Sequence, residues 1–371
     1  MCLPEPAAIG PHDLPMKQNF DRRAFIRYSA IAGVVAGGAA LEPTIAHAAP
    51  NYTNPLGVTA VTVNTSPPTQ ATIDRDFAAI AASGIRYVRI PIQWTSVEPY
   101  RGSRNWAIPK NLVNAANARG LTVLGCLTYV PYWAQNPGVT KGQGAPAAAR
   151  LGDWASFCTE ATRTLPSVKF WEIWNEPNII ASWAPTPSVS AYTALLKASH
   201  SALKSVSASN FVITAGTSPT LTGGGQYSPG DFMKGIYSAG GKGFFDATAF
   251  HPYNAQGYLS QGTQPYDSKI HIQNIRSSMV ANGDTAKRLW STEFGLPSFK
   301  SGSYSFTETD QANWTRDAIV YLRSLPYSGP MFLFDFRDTA TGNGVRDENF
   351  GLLRSDYSQK PVYAVARSLN T

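Results

Sequence analysis

Phe170-Trp171-Glu172-Ile173-Trp174-Asn175-Glu176-Pro177-Asn178 begins as an apolar run and ends in an Asn-Glu pair followed by proline. A short apolar run rich in aromatic residues predicts a buried strand. Pro177 has no backbone N–H to donate and keeps the preceding residue out of the helical region, so we expect the strand to end there. Glu176 is thereby predicted at the C-terminal end of a strand, with the amide of Asn175 beside it.

A second stretch of the same kind lies far along the chain. Leu289-Trp290-Ser291-Thr292-Glu293-Phe294-Gly295 is again an apolar run that ends in a glutamate and is released by a glycine. Two carboxyl groups that flank one bond are the minimum equipment for cleaving a glycosidic linkage. The sequence therefore predicts glycoside cleavage if the fold brings Glu176 and Glu293 together.

Strand and helix patterns alternate along the rest of the chain. Helix patterns separate the predicted strands. We predict Thr72 as the N-cap of the first of these helices. A later helix is predicted to begin at Thr307, with Asp310 three residues on as its capping-box partner. We predict strands at residues 56–63, 86–91, 121–127, 168–175, 211–215, 245–250, 288–293 and 330–336. Eight strands with interleaved helices predict an α/β fold, a (β/α)8 TIM barrel that forms a single domain over residues 49–371.

The barrel prediction also locates the site. In this fold the functional side chains follow the C-terminal ends of the strands. That rule gathers a set of residues scattered over the sequence, which are Arg89, Tyr129, Asn175, Glu176, His251, Tyr253, Glu293 and Phe336. Trp133 and Trp183 lie in the loops that follow, and with Phe336 they are candidate sugar platforms, although ordinary loop packing explains these tryptophans equally well.

Several motifs resemble those of the clan A retaining glycoside hydrolases. Residues 171–178 resemble the acid/base strand of that clan, and Thr292-Glu293-Phe294-Gly295 resembles its nucleophile strand. Val88-Arg89-Ile90-Pro91 and His251-Pro252-Tyr253 are similar to its strand-two arginine and its strand-six motif. The pattern is most similar to family 39-like and also to family 5-like β-glycosidases. Many clan members carry a tryptophan at the end of strand eight, where this chain has Phe334-Asp335-Phe336.

The resemblance implies a role for each site residue. Glu293 would act as the nucleophile and Glu176 as the acid/base of a double displacement. Arg89 would keep Glu293 ionised, and Asn175 would bind the sugar 2-hydroxyl. His251 and Tyr253 would set the proton positions around the nucleophile. Glu172 shares the face of Glu176 at strand spacing, and we expect it to be structural and deeper in the barrel.

The N-terminal residues have the layout of an export signal. The arginine pair Arg22-Arg23 precedes an apolar run, residues 28–41, and then the small-residue pattern Ala46-His47-Ala48. The apolar run is too short and glycine-rich to span a membrane. We therefore predict a cleaved signal peptide of the twin-arginine type over residues 1–48, the export machinery as a partner, and a secreted, periplasmic or cell-envelope location.

Composition excludes several other functions. The formal net charge is +7, but no basic block is interleaved with aromatics, which argues against nucleic-acid binding. The sequence has no C-x-x-C or H-E-x-x-H motif and its five histidines are scattered, so we predict no metal and no cofactor. Cys126 and Cys158 could pair in an exported protein or remain buried thiols, and the sequence leaves both open.

The sequence thus predicts an exported retaining β-glycosidase that acts on a polysaccharide or oligosaccharide. A family 39-like xylosidase or exopolysaccharide hydrolase is the first interpretation, and a family 5-like endoglucanase or mannanase is the alternative. A catalytically idle barrel that only binds glycan is the alternative from another class. The pairing of a matched acid and nucleophile argues against it, because a binder needs neither.

Overall fold

The computed structural model describes residues 54–60, 68–139, 143–254, 256–301 and 304–370. The predicted signal segment, residues 1–48, lies outside this part of the chain. No helix within the described residues has both the length and the apolar character needed to cross a membrane.

Eight parallel strands close into one barrel. Each strand pairs with its neighbours in sequence, and the last pairs back with the first. The predicted (β/α)8 barrel is therefore confirmed. In chain order, the barrel strands are β1 (Leu56–Thr59), β2 (Tyr87–Gln93), β3 (Thr122–Thr128), β4 (Phe170–Asn175), β5 (Phe211–Thr217), β6 (Ala247–Phe250), β7 (Leu289–Phe294) and β8 (Ser328–Leu333).

Helices connect the strands and cover the barrel. They are α1 (Gln70–Ala82), α2 (Trp94–Val97), α3 (Ala107–Asn117), α4 (Leu151–Thr164), α5 (Val189–Val206), α6 (Pro229–Ser238), α7 (Ser268–Ala281), α8 (Glu308–Ser324) and α9 (Pro361–Ser368). Lys300–Ser301 and Tyr304–Ser305 form a small antiparallel pair after β7.

Side-chain capping fixes two helix starts and corrects one prediction. The side chains of Thr307 and Asp310 form the predicted reciprocal box at the start of α8. Helix α1 begins earlier than predicted, because the side chain of Thr69 accepts a hydrogen bond from the backbone N–H of Thr72. Thr69 is therefore the N-cap, and Thr72 lies inside the helix.

The barrel interior is apolar near the strand starts and polar towards their C-terminal ends. Phe170, Phe211 and Trp290 pack together at the first or second position of β4, β5 and β7, with ring centroids 5.5–5.8 Å apart. Further along the strands, Arg89 and Glu172 are almost completely buried and form an ion pair. A buried ion pair needs hydrogen-bond partners for its remaining atoms, and the strand ends supply them.

Cys126 and Cys158 are both buried free thiols. Of the two alternatives left open by the sequence, a disulfide or two buried thiols, the structure has the two buried thiols.

Candidate active site

The C-terminal ends of β4 and β7 bring the two predicted glutamates together. A carboxylate oxygen of Glu176, a carboxylate oxygen of Glu293 and a ring nitrogen of His251 all lie within 4.8 Å of one another. Both glutamate side chains are only slightly exposed, 14% and 13%. Residues that are 117 positions apart in the sequence thus form one pair of facing carboxylates.

Glu293 receives a hydrogen bond on each oxygen. Arg89 donates from Nη1 to Oε1 at 2.6 Å, and the hydroxyl of Tyr253 donates to Oε2 at 2.8 Å. Charge-assisted hydrogen bonds of this kind favour the ionised carboxylate and fix its plane. Glu293 is therefore held as an anion with a defined orientation.

Arg89 donates to three oxygen acceptors, and its Nη2 also donates to the sulfur of Cys126 at 3.3 Å. Its Nε donates to Glu172 at 2.6 Å, and its Nη2 donates to the side-chain oxygen of Asn175 at 2.9 Å, in addition to the bond with Glu293. Burial lowers the pKa of Arg89, but the surrounding acidic groups, Cys126, Glu172 and Glu293, more than offset this and raise it. The guanidinium is a permanent charge that positions Glu293 and Asn175 together.

The bond from Arg89 also orients the amide of Asn175. Since Arg89 donates to the amide oxygen, the amide nitrogen points the other way and donates to the hydroxyl of Tyr129 at 3.2 Å. Tyr129 immediately follows β3 and packs edge-on against Trp174. Both predicted residues, Asn175 and Tyr129, thus lie beside the glutamate pair.

His251 contacts Glu176 more closely than Glu293. Its Nδ1 lies 3.0 Å from Oε1 of Glu176 and 3.8 Å from Oε2 of Glu293, while its Nε2 lies 3.1 Å from the hydroxyl of Thr292. Burial lowers the pKa of His251, but the charge of Glu293 and the hydrogen bond with Glu176 outweigh it, so the pKa is raised above 6.5. The sequence placed His251 around the nucleophile, and the structure makes Glu176 its direct partner.

An irregular backbone at the end of β4 directs two adjacent residues into the cleft. Successive side chains of a regular strand point to opposite faces, yet Asn175 and Glu176 both reach the site. Trp174 has φ 76° and Glu176 has φ 51°, a left-handed conformation that is unusual for such residues. The backbone N–H of Glu176 bonds to the carbonyl of Gly216 on β5 at 2.9 Å, which holds this conformation.

Two of the three predicted sugar platforms do not reach the cleft. Trp183 is 1% exposed and packs against Trp174 and Tyr192, and Phe336 is 0% exposed. Neither ring offers a face to a sugar, so these two predictions are wrong. Trp133 is half-buried, with its indole N–H donating to the carbonyl of Glu98 at 3.2 Å.

Sequence reasoning overlooked two residues beneath the glutamate pair. Thr292 donates to Glu172 at 2.7 Å, and the backbone N–H of Gly216 donates to the same carboxylate oxygen at 2.9 Å. The sequence offered one usable signal, since Thr292 directly precedes Glu293. Glu172 itself lies below the site and is fully buried, as its strand position predicts.

The spacing of Glu176, His251 and Glu293 is short enough for a single cation. However, the glutamates and the histidine are already engaged with one another, with Arg89 and with Tyr253. We therefore assign no metal to this cluster.

Comparisons with known proteins agree with this architecture. A family model described as Cellulase (glycosyl hydrolase family 5) matches residues 50–328. The comparison with curated proteins found no match to this chain.

Solved structures of two glycoside hydrolase families share the fold. A family 39 glycoside hydrolase from Bacteroides cellulosilyticus WH2 is 24% identical with a TM-score of 0.66, and the alignment covers 87% of this chain and 65% of that one. A monomeric beta-xylosidase from Caulobacter crescentus CB15 is 18% identical with a TM-score of 0.64, over 88% and 69% of the chains. A GH5_18 enzyme from Bifidobacterium longum, solved in complex with Manb1-4GlcNAc, is 15% identical with a TM-score of 0.63, over 85% and 78%.

The predicted resemblance to clan A is confirmed, with structural similarity to both families named in the sequence analysis. Within the clan, the family model that matches is that of family 5, and it spans most of the barrel. The chain belongs to glycosyl hydrolase family 5 and is a clan A glycoside hydrolase.

Proposed function

We propose that this enzyme is a retaining β-glycosidase that hydrolyses O-glycosidic bonds of a polysaccharide or oligosaccharide by double displacement. One observation carries the proposal: carboxylate oxygens of Glu176 and Glu293 lie within 4.8 Å of each other. Retaining glycosidases hold their two carboxyl groups about 5–5.5 Å apart, whereas inverting enzymes need about 6.5–9.5 Å to admit a water molecule. The separation in this site supports direct attack by one carboxylate.

The hydrogen bonds assign the two roles. Glu293 receives bonds from Arg89 and Tyr253 on its two oxygens, which supports its role as the anionic nucleophile. It would attack the anomeric carbon, forming a glycosyl ester as the glycosidic C–O bond breaks. Glu176 would give its proton to the leaving oxygen and then take a proton from the water that cleaves the ester, which regenerates both residues.

Asn175 is the residue best placed to bind the sugar 2-hydroxyl. Its amide oxygen is occupied by Arg89, so its amide nitrogen supplies the donor that remains. Hydrogen bonds to this hydroxyl strengthen in the oxocarbenium-like transition state. We keep Trp133 as a candidate for more distant sugar units, since its ring is half-buried on the loop after β3.

Two substrate classes have separate support. The similar structures include one named as a beta-xylosidase, which favours a xyloside. The exopolysaccharide hydrolase interpretation rests on the sequence resemblance to family 39-like enzymes. The family 5 cellulase match favours a β-glucan, cleaved by an endoglucanase, and the GH5_18 structure with Manb1-4GlcNAc favours a β-mannoside, the linkage type that a mannanase cleaves. A panel of chromogenic β-glycosides and purified polysaccharides separates the two, with NMR of the first-formed product anomer as the test of retention.

Covalent labelling tests the mechanism directly. A 2-fluoro glycoside with a dinitrophenyl leaving group slows the charged transition states and should trap the ester on Glu293, which peptide mass spectrometry locates. Glu293→Gln should abolish labelling and turnover, and Glu176→Gln should lower kcat by about 10²–10⁴-fold. Glu348→Gln, on the surface loop after β8, is the matched control and should behave like the wild type.

Two results would refute the proposal. Near-wild-type hydrolysis by either glutamine variant would show that the roles are wrong. Absence of labelling across the whole panel, with glycan binding retained, would favour the idle glycan-binding barrel.

We also propose export by the twin-arginine route. The arginine pair and the following apolar run support it. Mass spectrometry of the exported protein would give its N-terminus, and a mature chain that still carries Arg22-Arg23 would contradict cleavage near residue 48.

A further inference from the structure

Four side chains form one hydrogen-bonded row that leads from the barrel interior to Glu176. Glu172 on β4 accepts from the hydroxyl of Thr292 on β7 at 2.7 Å. The Thr292 oxygen lies 3.1 Å from Nε2 of His251, and Nδ1 of His251 lies 3.0 Å from Glu176. The row therefore runs from a buried glutamate to the residue proposed as the acid/base.

The hydrogen bonds at the buried end of the row determine which atom donates and which accepts in the next bond. Glu172 accepts from Arg89 Nε on one oxygen and from Gly216 N–H and Thr292 on the other, so it acts as an acceptor throughout. A hydroxyl has only one proton. Because Thr292 gives that proton to Glu172, its oxygen must accept a proton from Nε2 of His251.

A proton on Nε2 in turn determines what Nδ1 can do. In the neutral imidazole the other nitrogen is an acceptor. Nδ1 then accepts a hydrogen bond from Glu176, and this bond requires the proton to be on the carboxyl group. If the ring carried a proton on Nδ1 instead, Glu176 would be an ionised acceptor without a proton to give.

We propose that Thr292 and Glu172 are positioning residues that hold the proton of His251 on Nε2 and thereby keep the acid proton on Glu176. The inference rests on the proposed function, because it concerns the proton that Glu176 delivers to the leaving oxygen.

The packing around His251 supports this arrangement. A Cβ at Gly216 would lie 2.1 Å from Nε2 of His251 and 2.6 Å from the hydroxyl of Thr292, so only glycine leaves room for their contact. The charged groups around the ring are Glu172 from β4, Glu176 just after β4, Glu293 from β7 and Arg89 from β2, with Tyr253 packed edge-on. The raised pKa of His251, caused by the charge of Glu293 and the contact with Glu176, means that the His251–Glu176 pair retains the proton between Nδ1 and the carboxyl group, and the Thr292 bond bears on which of the two carries it.

Thr292→Val tests the inference, because valine keeps the shape and removes the hydroxyl. Without that acceptor, His251 is free to place its proton on Nδ1 and Glu176 loses its acid form. The kcat/KM for a glycoside with a poor, alkyl leaving group should fall by about 10²-fold or more. A dinitrophenyl glycoside of the same sugar needs no protonation of its leaving group and should lose less than about tenfold. Thr292→Ser restores the hydroxyl and should recover most of the loss.

Two further measurements make the test specific. In the ¹⁵N spectrum of histidine-labelled protein, His251 should show a protonated Nε2 and an unprotonated Nδ1 in the wild type and in Thr292→Ser, but not in Thr292→Val. Trapping with the 2-fluoro glycoside counts the active sites in each preparation. Rates are then expressed per active site, so unfolded protein does not lower them.

The outcomes separate this inference from the proposed function. Equal losses on both leaving groups, or a wild-type His251 that carries a proton on Nδ1, whether or not Nε2 is also protonated, would overturn the positioning role. If the wild type labels on Glu293 while Thr292→Val keeps its activity on the alkyl glycoside, only the inference fails. If the wild type never labels, the proposed function fails first.

Discussion

His271 should make the stability of this barrel dependent on pH. The side chain lies on α7, is 1% exposed and packs against the ring of Phe250. Neither of its ring nitrogens has a hydrogen-bond partner within the described part of the chain. Burial lowers the pKa of His271 from 6.5 to about 4, and the nearby charge of Asp267 opposes this only weakly. The folded protein therefore holds His271 neutral where an unfolded chain would protonate it.

The sign and size of the effect follow from proton linkage. Between pH 6.5 and about 4 the unfolded state binds more protons at this site than the folded state, so the free energy of unfolding decreases as the pH falls. A shift of about 2.5 pKa units, at about 1.4 kcal/mol each, makes the loss about 2–3 kcal/mol between pH 7 and pH 4.5. For a single side chain this is a large part of the stability of a typical domain.

Urea unfolding of the wild type and of His271→Phe at pH 7.0 and 4.5 measures this loss. Phenylalanine fills a similar volume and does not titrate, so the variant should lose about 2–3 kcal/mol less than the wild type on acidification. His200→Gln is the matched control, since His200 is a half-buried histidine on α5 and its removal should leave most of the loss in place. A difference below about 1 kcal/mol between wild type and His271→Phe, or an equal effect of His200→Gln, would refute the reasoning.

Two further changes test the packing of the site and of the loop after β8. Gly216→Ala would place a Cβ 2.1 Å from His251 Nε2, so we expect a loss of about 1–3 kcal/mol and a lower kcat. Gly152→Ala in α4, where a Cβ meets nothing within 4 Å, is its control and should be neutral or stabilising by up to about 1 kcal/mol in urea unfolding. Lys360→Met removes the partner of a fully buried carboxylate, 2.8 Å away on Asp338, and should cost about 3–5 kcal/mol. Adding Asp338→Asn should recover part of this cost, and an additive loss in the double variant would show that the two groups do not interact.

The order of elements was readable from the chain because it depends on local patterns. Apolar runs that end at Pro177 and Gly295 predict strands whatever lies beside them, and the Thr307–Asp310 box is completed within one helical turn. The (β/α)8 topology then places Glu176 and Glu293 at the same end of one barrel. The fold and the identity of the two facing glutamates were therefore within reach of sequence reasoning.

Side-chain exposure and hydrogen-bond partners depend on neighbours that are distant in sequence. Trp183 and Phe336 follow strand ends, as site residues do, but surrounding elements cover both rings completely. His251 was predicted near Glu293. Only its contacts with Thr292 and Glu176 in the folded chain show that Nε2 faces the threonine and Nδ1 faces Glu176.

The sequence by itself determined where β4 and β7 end, to within one residue, and which acidic residues stand at those two ends, because both follow from contacts within a few residues. The tertiary structure alone decided that Asn175 and Glu176 point into the same cleft. That outcome requires a left-handed backbone at Trp174 and Glu176, which the neighbouring strand holds through Gly216. Such a conformation costs energy when the segment is isolated and persists only where surrounding packing stabilises it.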